Sequence, residues 1–162
     1  HDEIRCAGWE PAETKGFAGA GAMFAMNMQR CAAIARTAGG GKPLYAWSDM
    51  YDPNHNAKKD YYLVNGDLSG SWEGLPRELT VVKWGGGDLA RPGLEFFAGR
   101  GHKQVIAAFY DSDPARDHAM WTAASKGVPN VEGVIYTTWR NDYSQLEKFA
   151  GLWWGGGARP GR

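Results

Sequence analysis

An excess of either charge is missing from this chain: 18 Lys and Arg face 18 Asp and Glu across 162 residues, a formal net charge of zero. Without a broad field of one sign there is no long-range pull toward nucleic acid or an anionic membrane, and neither is an expected partner. Long apolar runs are missing as well. No stretch reaches the roughly 18 consecutive apolar residues of a membrane-spanning helix, and the opening residues do not pass from a basic segment into an apolar one as a secretory signal does. The default expectation is a cytoplasmic protein, with secretion open to a chain from which an upstream segment has been removed. Cysteine is scarce: the two are Cys6 and Cys31, one in a strand-like and one in a helix-like stretch, which reads as two buried thiols rather than a disulfide framework. Nothing in the sequence calls for a cofactor.

What is abundant is ring and glycine: 8 Trp, 7 Tyr and 6 Phe stand beside 23 Gly. Rings fill cores, but at this density they also suit a site where flat side chains stack on flat ligands, sugars among them. The length suits one domain, taken as residues 1–154, with "GGGARPGR" at 155–162 read as a disordered tail.

Short apolar stretches rich in β-branched and aromatic residues predict buried parallel strands at 3–8 ("EIRCAG"), 42–50, 78–86, 103–111 and 131–139. Helical spacing between them predicts helices over 20–38, stopped by Gly39 to Gly41; over 89–100; over 113–127, with Asp113 as N-cap, Pro114 in the first turn and Gly127 at the stop; and over 141–154, capped by Asn141 or Asp142. Strand and helix in regular alternation mean right-handed βαβ units and a parallel sheet, an α/β fold of four to five such units. Residues 51–77 interrupt the rhythm with a long connection holding one short helix, and loops of that length in a compact domain are usually functional.

Polar and aromatic residues gather where the strands end: His1, Asp2 and Glu3; Trp47 and Asp49; Trp84; Tyr110 and Asp111; Trp139, Arg140 and Asp142. In parallel α/β folds all carboxyl ends of strands open on one side, where the site forms. Taken singly, each acid is better explained by a helix cap or a solvated loop; recurrence at five strand ends is what points to a site. Asp2 and Glu3 are neighbours, so in a regular strand they face opposite ways and can serve one site only past the strand's end. There, one carboxyl can stabilise positive charge while the other, its pKa raised by apolar surroundings, protonates a leaving group, as acetal cleavage requires.

"HDE", "YAWSDMYDP", "VVKW", "VIAAFYD" and "GVIYTTWRNDY" together resemble the second half of the catalytic (β/α)8 TIM barrel of family 20 glycoside hydrolases, the β-N-acetylhexosaminidases, or of a related clan. The resemblance covers residues 1–154 and half of that barrel. It implies that Asp2 steers the substrate's acetamido group, Glu3 is the general acid/base and Tyr110 is the acetamido group's partner. Trp47, Trp84 and Trp139 then wall the sugar, with His1, Asp49 and Asp111 completing the substrate-binding set. In that family the substrate's own amide is the nucleophile. The chain departs from the pattern where His1 stands directly before Asp2 and where Asp111 follows Tyr110 at once, which leaves hydrolysis of other hexosides as an alternative. Half a barrel has two open strand edges and an apolar inner face, so self-association into a dimer that completes the barrel is expected, or pairing with an upstream half.

Rival readings are weaker. His1 could bind copper through its amine and ring with His55, His102 or His118, but enzymes built that way are β-sandwiches. Asp52, Asn54, Asn56 and Asp60 offer oxygens to a hard cation without the central Gly and closing Glu of an EF-hand. The triple glycines at 39–41 and 85–87 lack the Lys-Ser/Thr ending of a phosphate loop. No metal is expected. The alternative from another class is a carbohydrate-binding or structural half barrel without turnover.

Overall fold

A computed structural model describes residues 16–59 and 67–155. The expected strand at 3–8, the Asp2–Glu3 pair, His1, Cys6, Asp60 and the tail from residue 156 onward lie outside the described residues.

Helix α1 (Ala20–Ala38) occupies the span its periodicity predicts and ends at Gly39, with Gly40 and Gly41 in the left-handed region that glycine enters freely. Four strands follow: β1 (Tyr45–Trp47), β2 (Thr80–Lys83), β3 (Gln104–Phe109) and β4 (Val131–Thr137). They form one sheet in the order β1-β2-β3-β4, every neighbouring pair parallel. Helices α2 (Ala90–Gly99), α3 (Pro114–Ser125) and α4 (Leu146–Trp154) alternate with them. The fold is therefore α/β, with a four-stranded parallel sheet and intervening helices.

The strands are shorter than their apolar runs, and the turns at their ends explain why. β1 stops at Trp47 because Ser48 turns into a 3₁₀ turn over Asp49–Tyr51. The long connection carries another, Ser71–Gly74, against which α1 packs. That contact is so close that a Cβ on Gly21 would strike the Ser69 carbonyl and one on Gly74 the Ala25 backbone, so both positions require glycine. Helix α3 starts as expected: the Asp113 carboxylate accepts from Arg116 N–H at 2.8 Å, with Pro114 in the first turn. Helix α4 corrects its expectation. It begins at Leu146, and neither Asn141 nor Asp142 caps it; Asp142 instead accepts from Ser144 N–H in a local turn, and its carbonyl accepts from the Tyr136 hydroxyl at 2.7 Å. Cys31 is also a correction, because it is exposed on α1 rather than buried.

The register sorts side chains to two faces. Ala46 is level with Val81; Lys83, Ile106 and Val134 share one row; Ala108 is level with Tyr136. These residues pack toward the helices. Val81 joins Phe24, Met50, Leu79 and Phe97 in one cluster, and Ile106 and Ala108 join Leu94, Trp121 and Phe149 in another. Helix α2 packs on α3, and α3 on α4, as one layer. The other face carries Tyr45 and Trp47, Thr80 and Val82, Val105 and Ala107, and Ile135. On it Tyr45 is 59% exposed and Ile135 40%.

Candidate functional site on the carboxyl rim

The rim is built by what each strand does on leaving the sheet. After β2, Trp84 donates its N–H to the buried Ser48 hydroxyl at 3.2 Å, and Ser48 N–H reaches back to Val82 C=O at 3.0 Å. The exits of β1 and β2 are thus tied to each other. After β3 the backbone turns sharply: Phe109, Tyr110 and Asp111 all take positive φ, at 78°, 46° and 56°. Three consecutive side-chain-bearing residues in this region are strained, and such strain persists only where the surroundings hold it. Four contacts hold it here. Phe109 N–H goes to the Asp117 carboxylate at 2.7 Å, Tyr110 N–H to Thr137 C=O at 2.9 Å, and Ser112 N–H and hydroxyl both to Phe109 C=O. The turn breaks strand alternation, so the Phe109 ring swings to the helix side and stacks on Tyr136 at 4.5 Å. Tyr110 is left on the rim, 47% exposed.

A row of rings results. His55 meets Trp84 edge-on at 5.0 Å, Trp84 stacks on Tyr110 at 5.3 Å with 22° between planes, and Tyr110 meets Trp139 edge-on at 5.9 Å. Trp139 is 65% exposed. Three residues singled out from the sequence, Trp84, Tyr110 and Trp139, are therefore brought together. Trp47 ends β1 on the sheet face turned away from the helices, in the same row as Val82.

The acids are placed differently from the rings. Asp111 does not point outward as a free carboxylate. One oxygen accepts from the Thr138 hydroxyl at 2.5 Å, and the other from Trp139 N–H at 2.7 Å and Arg140 N–H at 3.2 Å. The Thr138 hydroxyl foremost, then the two N–H groups, hold its pKa below the usual carboxylate value. Asp111 is thus the brace that fixes Trp139. Asp49 is buried in its own loop, accepting from the Asn56 side chain at 3.2 Å. Asp117, under the strained turn, has its pKa raised by burial.

Several residues that matter here were not assigned a place in the site by the sequence. Lys83 is fully buried with Asp52, Nζ to Oδ2 3.0 Å, and also donates to Trp84 C=O at 2.7 Å. Burial pulls its pKa down, while the Asp52 charge pulls it back up. Asp52 Oδ1 accepts from Asn54 N–H and side chain. Helix α2 lies directly over the pair, since a Cβ on Gly93 would run into both Asp52 and Lys83. The signal was present in "VVKW": a lysine inside a buried strand needs a buried partner. Within "DPNHN", Asp52 accepts from Asn54 and the Asn56 side chain donates to Asp49; among the described residues there is no group of three His, Cys, Asp or Glu that could hold a metal ion. Among the same residues no helix is long and apolar enough to cross a membrane.

Compared with protein-family models, curated proteins and solved structures, the chain matches none. The functional reading accordingly rests on geometry and residue chemistry.

Proposed function

We propose that this chain is a glycoside-hydrolase-like half of a (β/α)8 barrel that binds a hexoside, a β-N-acetylhexosaminide by first choice, on the carboxyl rim of its sheet. The observation that carries the reading is the row Trp84, Tyr110 and Trp139, three rings in contact at the ends of successive parallel strands. Rings so arranged offer apolar faces to the C–H faces of a sugar, with polar edges free for its hydroxyls. The strand order supports the barrel half. With the sequential order β1-β2-β3-β4, right-handed crossovers, the general rule for parallel strands, put the connecting helices on one face, and the described helices do pack against one set of strand residues, the winding of a barrel rather than of a doubly wound sheet. The opposite face, with Tyr45, Trp47 and Ile135 exposed, is then a barrel interior. A second copy related by a two-fold axis closes eight strands, so the reading includes a homodimer.

A reading without turnover is favoured by one observation. Of the described acids at the rim, Asp111 is engaged by Thr138 and the backbone, Asp142 by Ser144 N–H, Asp117 by Phe109 N–H, Asp49 by Asn56 and Asp52 by Lys83. In the hydrolase reading, proton transfer to a leaving group is assigned to Glu3, with Asp2 beside it. The test pairs binding with hydrolysis: chromogenic N-acetylglucosaminide and other hexosides are assayed with the unaltered protein, Glu3→Gln and Trp139→Ala. The hydrolase reading expects Glu3→Gln to abolish release and retain binding, and Trp139→Ala to weaken binding up to about tenfold. Hydrolysis unchanged by Glu3→Gln removes the acid/base role; binding without hydrolysis leaves a carbohydrate-binding half barrel.

A further inference from the structure

Behind the row of rings lies a cavity of about 520 Å³, between the Gly85–Gly87 loop and the middle of α3. That volume is within the range of about 300–1,000 Å³ of small-molecule sites. We propose that it receives the flat, apolar aglycone of a glycoside whose sugar lies on the rim. The proposal rests on the sugar-binding reading above and adds the class of group attached to the sugar.

Continuity comes first. Trp84 and Tyr110, stacked on each other in the rim, also line the cavity. A ligand seated against these two rings therefore reaches both spaces without crossing solvent. Lining chemistry comes second. Ala107, Phe109, Met120 and Trp121 supply the remaining apolar lining, and methionine adapts its shape to irregular apolar partners. The polar lining is Ser112, Arg116 and Asp117, so its cation stands beside a carboxylate rather than in a basic cradle for a phosphate. Lys83, the lysine nearest the three glycines in sequence, is fully buried on Asp52, and the group facing Gly86 is the Met120 methyl, which a Cβ there would meet at 2.8 Å.

The space is also held open rather than left over. The left-handed turn at Phe109, Tyr110 and Asp111 sends Phe109 to the helix side and Tyr110 to the rim, and the Asp117 carboxylate anchors the turn through Phe109 N–H. Gly86 itself has φ of −82°, a value any residue adopts, so its lack of a side chain answers to space and not to backbone geometry.

The experiment uses the full chain and two thioglycosides, which are not turned over: methyl and phenyl 1-thio-β-N-acetylglucosaminide, with phenol as a probe for the cavity alone. Binding is read by tryptophan fluorescence and by the Met120 methyl resonance. The phenyl compound is expected to bind about tenfold tighter than the methyl one and to shift the Met120 methyl. Met120→Trp, which fills the cavity, is expected to close that gap. Gly86→Ala, which only displaces the Met120 methyl, narrows it severalfold and serves if the larger change prevents folding. A gap unchanged by both substitutions, or a Met120 methyl that neither phenol nor the phenyl compound moves, overturns the proposal. If phenol shifts Met120 while neither thioglycoside binds more tightly than phenol, the apolar site stands and the sugar reading is what fails.

Discussion

Asp52 and Asp111 both follow parallel strands at the same end of the sheet, and both hold a loop beside a ring, yet they do so under opposite conditions. Asp52 is fully buried, paired with a fully buried Lys83 beneath α2. Asp111 is partly exposed and accepts from a hydroxyl and two backbone N–H groups, with no cation required. The first region belongs to the packed half of the molecule, where a charge left without its partner has no water to turn to. The second belongs to the open half, where solvent can replace a lost partner. The difference separates residues that set whether the rim exists from residues that set how its rings are aimed.

The largest effect is expected where the comparison is most unequal. Lys83→Met leaves the Asp52 carboxylate buried and unpaired, and a loss of about 3–5 kcal/mol of folding stability is expected in urea denaturation. Adding Asp52→Asn removes the orphaned charge while keeping an oxygen for Asn54, so the double variant is expected to recover most of that loss. A single variant as stable as the unaltered protein would mean that the pair is not the buried weld described here.

Asp111→Asn probes the open half. An amide has one oxygen where the carboxylate has two, so it accepts either from the Thr138 hydroxyl or from the Trp139 and Arg140 N–H groups but not from both sides. Without the negative charge each remaining bond is weaker, and the loop carrying Trp139 loosens. The denaturation midpoint is expected to move far less than for Lys83→Met, while affinity for a hexoside falls severalfold. Equal stability losses in the two variants would erase the distinction between the halves.

Much of this was legible in residue order and much was not, for physical reasons. Helix α1 and the start of α3 carry their own signals, a triple glycine stop and an Asp-Pro entry, and both lie where those signals put them. The alternation of apolar strands with helices sufficed for a parallel α/β sheet. Helix α4 starts several residues later than Asn141 or Asp142 suggests because Asp142 has two uses, cap or local turn, and in the local turn its carbonyl accepts from the Tyr136 hydroxyl on the strand just before. The rings at Trp84, Tyr110 and Trp139 could be listed from strand ends, but their mutual contact depends on three left-handed residues in a row, which no composition rule announces. The role of Lys83 is not legible in "VVKW", because strand propensity says nothing about which loop will bring the matching carboxylate.

His55 gives the smallest and most selective test, since it lies where the two halves meet: its ring touches Trp84 on the rim and its charge would lie near Lys83 below. Burial, then the positive charge of Lys83 and more weakly that of Lys58, lower its pKa from 6.5, against the opposing pull of Asp49 and Asp52. A lowered histidine pKa means that the unfolded chain binds the proton more readily than the folded one, so stability rises with pH from the folded pKa up to about 6.5 and is flat above it. Acidification from about pH 7.5 to about pH 5.5 is therefore expected to cost stability through this group, at no more than about 1.4 kcal/mol per pH unit. His55→Phe keeps a ring against Trp84 and has no proton to gain, so its pH profile is expected to be flatter than that of the unaltered protein by this contribution alone. Parallel profiles for the two proteins, measured by urea denaturation across that range, would place the His55 ring in water rather than between Trp84 and the buried pair.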